Sequence, residues 1–149
     1  MLSLSIFSSS KSVSLAISKE KKIIKFIKKN DNQKNKSNTL LILIQNILKE
    51  YELGLFKNII FSRGPGGFTS IRSLIAISQG LCLNSNIKLL SVTTFELFLC
   101  QLTYKEGITL ICFKESRRDF YYQFYIYEGD EWKKISKIFS GLQDEIKKK

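Results

Sequence analysis

Residues 61–72 contain the chain's clearest chemical pattern, reading Phe-Ser-Arg-Gly-Pro-Gly-Gly-Phe-Thr-Ser-Ile-Arg. A strand-like run at 58–61 opens the pattern, and residues 68–83 have helical spacing. Gly66 and Gly67 can take positive φ and let a phosphate or another backbone come close. Because helix N-termini attract anions, this turn is a candidate anion site. A tight connection without a ligand explains the pattern equally well.

The turn differs from the common nucleotide-binding loops. Its spacing matches neither Gly-x-Gly-x-x-Gly nor the P-loop ending Gly-Lys-Ser/Thr. The chain contains no histidine, which excludes His-x-x-x-His metal sites, Ser-His-Asp triads and Cys-His dyads. Acidic residues number only 13. We therefore expect no catalytic residue, no metal and no cofactor.

The charge balance has two explanations, which remain open. A net charge of +11 is typical of proteins with an anionic partner such as RNA. The cations are mostly lysine, however, and lysine, isoleucine and asparagine are all plentiful. Such a composition is expected from an AT-rich genome, and we favour this mutational bias over selection for RNA binding.

Length and cysteine usage indicate a small intracellular protein. A chain of 149 residues forms one compact domain or two small lobes. Cys82, Cys100 and Cys112 are odd in number and widely spaced, which predicts reduced thiols in a cytosol. No apolar run reaches the length of a membrane helix, and no signal peptide is recognisable. We expect a cytoplasmic protein without a membrane partner.

Hydrophobic periodicity predicts a mixed α/β chain. Predicted strands lie at residues 2–7, 12–17, 23–27, 57–62, 89–92, 108–113, 119–127 and 132–138. Predicted helices lie at 37–51, 68–83 and 94–102. Ser37 or Asn38 is expected to cap the first helix and Gly54 to end it. Residues 30–38 read as a loop and residues 143–149 as a polar tail.

The predicted helix 68–83 carries two distinct stripes. The stripe suited to a sheet consists of Ile71, Ile75, Ser78 and Cys82. A second stripe contains only small residues, Thr69, Ser73, Ala76 and Gly80. Small side chains let a second helix approach closely. Either the helix 37–51 of the same chain or a partner's helix fills this groove. In helix 37–51 the predicted apolar stripe consists of Leu40, Ile44, Ile47 and Tyr51, widened by Leu41 and Leu48. Ile42 is predicted to lie on the opposite side of this helix.

Three segments of the chain together resemble the TsaB family, also called YeaZ. They are residues 63–72, Gln79-Gly80-Leu81 and Ser91-Val92-Thr93-Thr94. The corresponding family patterns are Gly-Arg-Gly-Pro-Gly-Ser-Phe-Thr-Gly-x-Arg, Gly-Leu and Val-Ser-Thr. With the element order, the resemblance implies an actin-like (ASKHA, ribonuclease H-like) α/β fold. The first lobe, 1–107, is expected to be complete and the second, 108–149, truncated.

The resemblance implies a non-catalytic scaffold in the formation of threonylcarbamoyladenosine beside the tRNA anticodon. The implied partner is a TsaD-like catalytic subunit. Further candidates are a TsaE-like ATPase, tRNA bound directly or through the complex, and a homodimer through the same helices. The residues assigned to the turn are Arg63, Gly64, Pro65, Gly66, Gly67, Phe68, Thr69 and Arg72. Those assigned to the partner interface are Ile42, Thr69, Ser73, Ala76 and Gly80.

Departures from the family pattern weaken nucleotide binding as a function. Phe7-Ser8-Ser9 stands where the family has Asp-Thr-Ser, and Lys114 stands at an acidic position of the second lobe. Ser70 and Ser73 replace two glycines. A degenerate relic, an independent actin-like nucleotide-binding enzyme and a basic RNA-binding module remain as alternatives.

Overall fold

The computed structural model of the chain describes residues 1–8, 12–30, 36–114 and 119–142. The chain divides into two compact units, Met1–Thr93 and Thr94–Lys149, which we call the first and second units. The boundary lies between residues 93 and 94, whereas the sequence predicted lobes of 1–107 and 108–149. The helix that follows Thr93 is therefore grouped with the second unit. The assignment of the units as complete and truncated lobes stays a prediction.

The first unit contains a five-stranded mixed sheet with the order β3-β2-β1-β4-β5. Its strands are β1 (Leu2–Ser8), β2 (Ser12–Lys19), β3 (Lys22–Asn30), β4 (Phe56–Ser62) and β5 (Lys88–Val92). β1, β2 and β3 pair antiparallel, whereas β4 pairs parallel to both β1 and β5. Because parallel neighbours need crossover connections, the chain places α1 (Lys36–Glu50) before β4 and α2 (Phe68–Cys82) before β5.

Both helices cover one face of this sheet. The buried core contains alternate strand residues, one stripe of α1 and Leu74 of α2. Its members are Leu4, Ile6, Val13, Leu15, Ile17, Leu40, Leu43, Ile44, Ile47, Phe56, Ile59, Phe61 and Leu74. The α1 stripe predicted at Leu40, Ile44 and Ile47 is therefore confirmed, as an amphipathic period requires.

The predicted cap of α1 is wrong. The helix begins at Lys36, so Ser37 and Asn38 lie inside its first turn. The hydroxyl of Ser37 is engaged elsewhere, since it lies 2.7 Å from the Ser73 hydroxyl of α2. The loop predicted at 30–38 overlaps two regular elements, since β3 extends to Asn30 and α1 begins at Lys36. Residues 31–35 are not described.

The predicted end of α1 is also wrong. The helix ends at Glu50, and the chain then forms a short 3₁₀ turn at Leu53–Leu55 that contains Gly54. Tyr51 N–H still donates to the carbonyl of Ile47 at 2.8 Å, which satisfies one of the last carbonyl groups of the helix. Gly54 thus lies inside the connection to β4.

The second unit combines one short helix with a four-stranded antiparallel sheet. Its elements are α3 (Thr94–Leu99), β6 (Ile108–Lys114), β7 (Asp119–Glu128), β8 (Glu131–Lys134) and β9 (Phe139–Leu142). β7 pairs with β6 along one edge and with β8 and β9 in succession along the other. The core is rich in aromatic rings, with Phe95 and Tyr125 among its most deeply buried residues.

The prediction of one strand at 132–138 is wrong, because the chain forms two strands separated by an irregular segment. Phe124 N–H donates to the Ser136 hydroxyl at 3.0 Å, so a side-chain oxygen replaces the backbone acceptor. Residues 135–138 consequently face only residues 123–124 of β7, as in an extended bulge. β9 was not predicted, and the polar tail 143–149 lies outside the described residues.

Two further features are the state of the cysteines and the length of the helices. Cys82, Cys100 and Cys112 are free thiols, as their spacing predicted. Within the described ranges, none of the helices has the length and apolar character needed to cross a membrane.

Candidate functional site: the glycine turn and the exposed face of α2

The glycine turn, residues 63–67, joins the end of β4 to the start of α2. Its first residue is attached to the sheet, since Arg63 N–H donates to the carbonyl of Val92 at 2.9 Å. At its other end, Ile71 N–H donates to the carbonyl of Gly67 at 3.0 Å and closes the first turn of α2. The predicted strand–turn–helix arrangement is confirmed. Anion binding by the turn stays a prediction.

Gly64 is the conformationally demanding residue of the turn. It has φ of +87°, and a Cβ atom there would lie 2.6 Å from Cδ1 of Ile71 and 3.3 Å from the nitrogen of Gly66. Gly66 and Gly67 do not use the positive φ that glycine allows, since only Gly64 in this turn has it and Gly67 has φ of −58°. The left-handed residue therefore precedes the proline instead of following it.

The turn presents its charged and aromatic side chains to solvent. Arg63 and Arg72 are exposed, and Phe68 is 70% exposed. The guanidinium carbon of Arg72 lies 5.1 Å from the Phe68 ring centroid, which is a cation–π contact. Sequence reasoning assigned both residues to the turn but did not anticipate that one covers the other.

The strand ends beside the turn carry hydroxyl groups that sequence reasoning missed. Ser8 ends β1, Ser62 ends β4 and Thr93 follows β5, and all three side chains are buried. Ligands of α/β sheets bind beyond the carboxyl ends of parallel strands, so strand-end position is the signal that could have found them. A hydroxyl needs a neighbouring base to act as a nucleophile, and the chain has no histidine.

The Cys82 and Cys112 thiols are poorly suited to nucleophilic chemistry. Partial burial raises the pKa of the Cys82 and Cys112 thiols above their ordinary value. A raised pKa reduces the thiolate fraction at neutral pH, and the thiolate is the reactive form. Among the described residues, no three cysteine, aspartate or glutamate side chains group together as metal ligands would.

α2 has a buried and an exposed side, as the two stripes predicted. Leu74 and Ser78 are fully buried, while Ile75 and Cys82 pack against the core. The exposed side includes three small, uncharged residues, Thr69, Ala76 and Gly80, which we call the exposed α2 face. A Cβ atom built at Gly80 would meet nothing within 4 Å.

Ser73 and Ile42 differ from the other predicted interface residues. Ser73 is half-buried, and its hydroxyl is linked to Ser37 of α1, so it belongs to the α1–α2 contact. Ile42 is 43% exposed, but it follows Ser37 by five positions, which places it about 140° around α1 from that contact. Leu41 is also 43% exposed and lies only about 40° around α1 from Ser37. Sequence reasoning assigned Leu41 to the buried stripe and missed its exposure.

Comparison with known proteins connects this architecture to a family. The family model described as TsaD, tRNA N6-adenosine threonylcarbamoyltransferase, matches residues 26–138. Among curated proteins, no sequence matches the chain.

Solved structures with the same fold include two from Pseudomonas aeruginosa. One is YeaZ, with a TM-score of 0.73 and 19% identity over 93% of this chain and 66% of that one. The other, described by its similarity to peptidase YeaZ, has a TM-score of 0.74 and 19% identity over 95% of this chain and 66% of that one. The chain thus spans just under two thirds of the length of these relatives.

A more distant structural neighbour is the ethanolamine utilization protein EutJ from Carboxydothermus hydrogenoformans. Its TM-score is 0.53, with 12% identity over 96% of this chain and 52% of that one. The predicted actin-like α/β fold and the resemblance to YeaZ are confirmed at the level of fold and family. The chain belongs to the TsaD family of tRNA N6-adenosine threonylcarbamoyltransferases and has the fold of YeaZ.

Proposed function

We propose that the chain is a TsaB-like, non-catalytic scaffold subunit for threonylcarbamoyl modification of tRNA. In this proposal it binds a TsaD-like catalytic subunit through the exposed α2 face. Family membership supports the connection to tRNA modification. The observation that carries the scaffold role is an open helix face of small residues, bordered by the exposed Arg72, together with buried hydroxyls at the described strand ends.

The strand ends support the non-catalytic part of the proposal. A general acid or base must have a pKa near the working pH and must lie within hydrogen-bond reach of the substrate. Ser8, Ser62 and Thr93 supply only hydroxyls at this edge of the sheet. The Ser62 hydroxyl lies 3.5 Å from the amide of Gly64, so it faces the chain's own turn.

The exposed α2 face supports the partner-binding part. The cores of protein interfaces are depleted in charged residues, and Thr69, Ala76 and Gly80 carry no charge on a chain of net charge +11. Small side chains allow a helix of the partner to approach within the shorter interaxial distances. Leu41 of α1 adds an apolar side chain on the side of α1 that contacts α2.

The test uses the purified chain with the TsaD-like subunit of the same organism. We expect the chain alone to show no ATP hydrolysis, peptidase or threonylcarbamoyl-transfer activity. We expect it to form a complex with the catalytic subunit, measured by sedimentation, and to increase threonylcarbamoyl transfer to tRNA. Turnover by the chain alone that is abolished by Arg63→Ala would contradict the non-catalytic assignment. Absence of the complex would contradict the scaffold assignment.

A second candidate function is direct RNA binding by β3. This edge strand carries exposed Lys22, Lys28 and Lys29, and Phe26 is 61% exposed between them. Exposed aromatic rings among lysines are suited to stack bases and contact phosphates. Among the described residues of β3, Lys25 alone has a carboxylate partner, Glu50 of α1.

Salt dependence separates selected RNA binding from nonspecific attraction. If mutational bias explains the lysines, tRNA affinity of the isolated chain falls steeply with salt and shows no preference among tRNAs. A tight, salt-tolerant and tRNA-selective complex that Phe26→Ala weakens would establish RNA binding as a function of β3.

A further inference from the structure

The second unit contains a cavity that the proposed scaffold function does not use. The cavity has a volume of about 290 Å³ and lies between α3 and the sheet. Its apolar wall includes Leu99, Tyr125 and Trp132, and its charged wall includes Glu96, Lys105 and Lys134. This volume is at the lower end of the range for small-molecule sites, which are mostly apolar with a few placed polar groups.

The charged wall carries a net positive charge. Lys134 Nζ donates to Glu96 Oε1 at 3.0 Å, so these two charges offset each other. Lys105 has no carboxylate partner among the described residues, and its Nζ lies 5.7 Å from the centroid of the Tyr127 ring. The cavity therefore has one cation in excess, carried by the solvent-exposed side chain of Lys105.

The apolar wall contains an unpaired donor. The indole Nε1 of Trp132 is buried and has no hydrogen-bond partner among the described residues. Buried polar groups are normally paired, and an indole nitrogen can only donate. The indole ring itself is held in place, since it packs edge-on against Tyr127 with ring centroids 5.1 Å apart. A ligand in the cavity would contact the indole ring, since the nitrogen itself has almost no accessible surface.

The remaining polar group of the apolar wall, the Tyr125 phenol, already has a hydrogen-bond partner. Tyr125 OH donates to Gln123 Oε1 at 2.6 Å, so the phenol is used inside the protein. Burial, with a contribution from Glu96, raises the pKa of Tyr125 to about 12, which keeps the phenol neutral at physiological pH. The donors left for a ligand are the lysine ammonium groups.

We propose that this cavity is a binding site for a small apolar monoanion, namely a carboxylate with an aromatic or aliphatic body. The hydrocarbon body packs against Leu99, Tyr125 and Trp132. The carboxylate oxygens accept from Lys105. One excess cation matches one carboxylate, and a neutral molecule of the same shape lacks this ion pair.

The test uses the full chain, and Trp132 serves as the reporter because it is the chain's single tryptophan. A ¹⁵N-labelled sample is titrated with 3-phenylpropionate, and the one indole N–H resonance is followed. We expect a saturable shift of this resonance and weaker binding of the neutral isostere 3-phenylpropanamide. A resonance that does not move, or equal binding of the amide, overturns the proposal.

Two charge-matched variants test the wall residues. Lys105→Gln is expected to weaken 3-phenylpropionate binding about tenfold, because it removes a charged hydrogen-bond donor. Lys133→Gln is the control, since Lys133 lies on β8 between the cavity residues Trp132 and Lys134 but does not line the cavity and pairs with the exposed Glu128 at 3.7 Å. Equal weakening by both variants would indicate general charge attraction and overturn the site.

Discussion

The cores of the two units are built from different kinds of side chain. In the first unit, two amphipathic helices place mainly aliphatic residues on one face of a mixed sheet. In the second unit, α3 places Phe95 against Phe113 and Tyr125, with ring centroids 4.9 and 6.5 Å apart. The first unit therefore depends on periodic helix and strand faces, whereas the second depends on a few large rings.

This difference extends to the surfaces that the units offer. The first unit presents the exposed α2 face, whose residues Thr69, Ala76 and Gly80 are small. The second unit has an open cavity beside its aromatic core, lined in part by Leu99, Tyr125 and Trp132.

The largest expected effect tests whether the second unit unfolds independently of the first. Phe95 is fully buried, and Phe95→Ala is expected to destabilise the second unit by about 3–5 kcal/mol. Phe98, on the same helix but 41% exposed, provides the control, and Phe98→Ala is expected to cost about 1 kcal/mol or less. Amide exchange should accelerate in β6 and β7 and stay slow in β4. Acceleration in both units would show that they unfold together.

A pair of glycine variants separates the turn from the helix face within the first unit. Gly64→Ala places a Cβ atom 2.6 Å from Ile71 at positive φ and is expected to cost about 2–4 kcal/mol. Gly80→Ala meets open space inside a helix and is expected to stabilise by about 0.5–1 kcal/mol. Denaturant unfolding measures both values. Equal changes in the free energy of unfolding for the two variants would contradict the assignment of Gly64 as the more constrained glycine.

A smaller effect is expected where a side chain organises the second sheet. Ser136→Ala leaves the Phe124 amide without its acceptor at 3.0 Å, which is expected to cost about 1–3 kcal/mol. Ser140→Ala is the control, since Ser140 is exposed in β9 and its loss is expected to change stability by about 0.5 kcal/mol or less. An unchanged unfolding midpoint for Ser136→Ala would contradict the role given to this hydroxyl.

The last expected effect is confined to high pH and comes from Tyr125. Its pKa is raised to about 12 in the folded chain, from an ordinary value of 10.0. The unfolded chain therefore releases this proton first, and the stability difference is lost as the pH rises from 10 to 12. Tyr125→Phe removes this component, so the decline in its unfolding free energy across that range should be shallower. Identical declines would contradict the raised pKa.

Sequence patterns predicted the first unit well wherever periodicity decides the structure. The stripe Leu40, Ile44 and Ile47 and the two sides of α2 follow directly from a 3.6-residue repeat. The conformation of individual residues did not follow from the pattern. Gly64, not Gly66 or Gly67, takes positive φ. Its contact with Ile71, which leaves no room for a Cβ atom, forms only in the folded chain and has no signal in the local pattern.

The second unit was harder to predict because side chains interrupt its backbone pairing. No local pattern indicates that Ser136 will supply an acceptor to Phe124 and divide the predicted strand 132–138. The cavity was equally hidden, since Lys105 and Trp132 are far apart in sequence and meet only in the fold. Of the candidate interface, exposure of Ala76 and Gly80 was predictable, whereas the link from Ser73 to Ser37 was not.

The most direct test of the central proposal is a binding titration of Ala76→Arg against the TsaD-like subunit, with a melting curve of each variant. Ala76 is exposed, so the variant should fold normally. Burying an unpaired charge at an interface costs several kcal/mol, so affinity should fall roughly a hundredfold or more.

Asn46→Arg adds the same charge at an exposed position about 180° around α1 from Ser37 and should bind normally. A folded Ala76→Arg variant with wild-type affinity would show that the interface lies elsewhere. A variant that fails to fold would show that the exposed α2 face is part of the core.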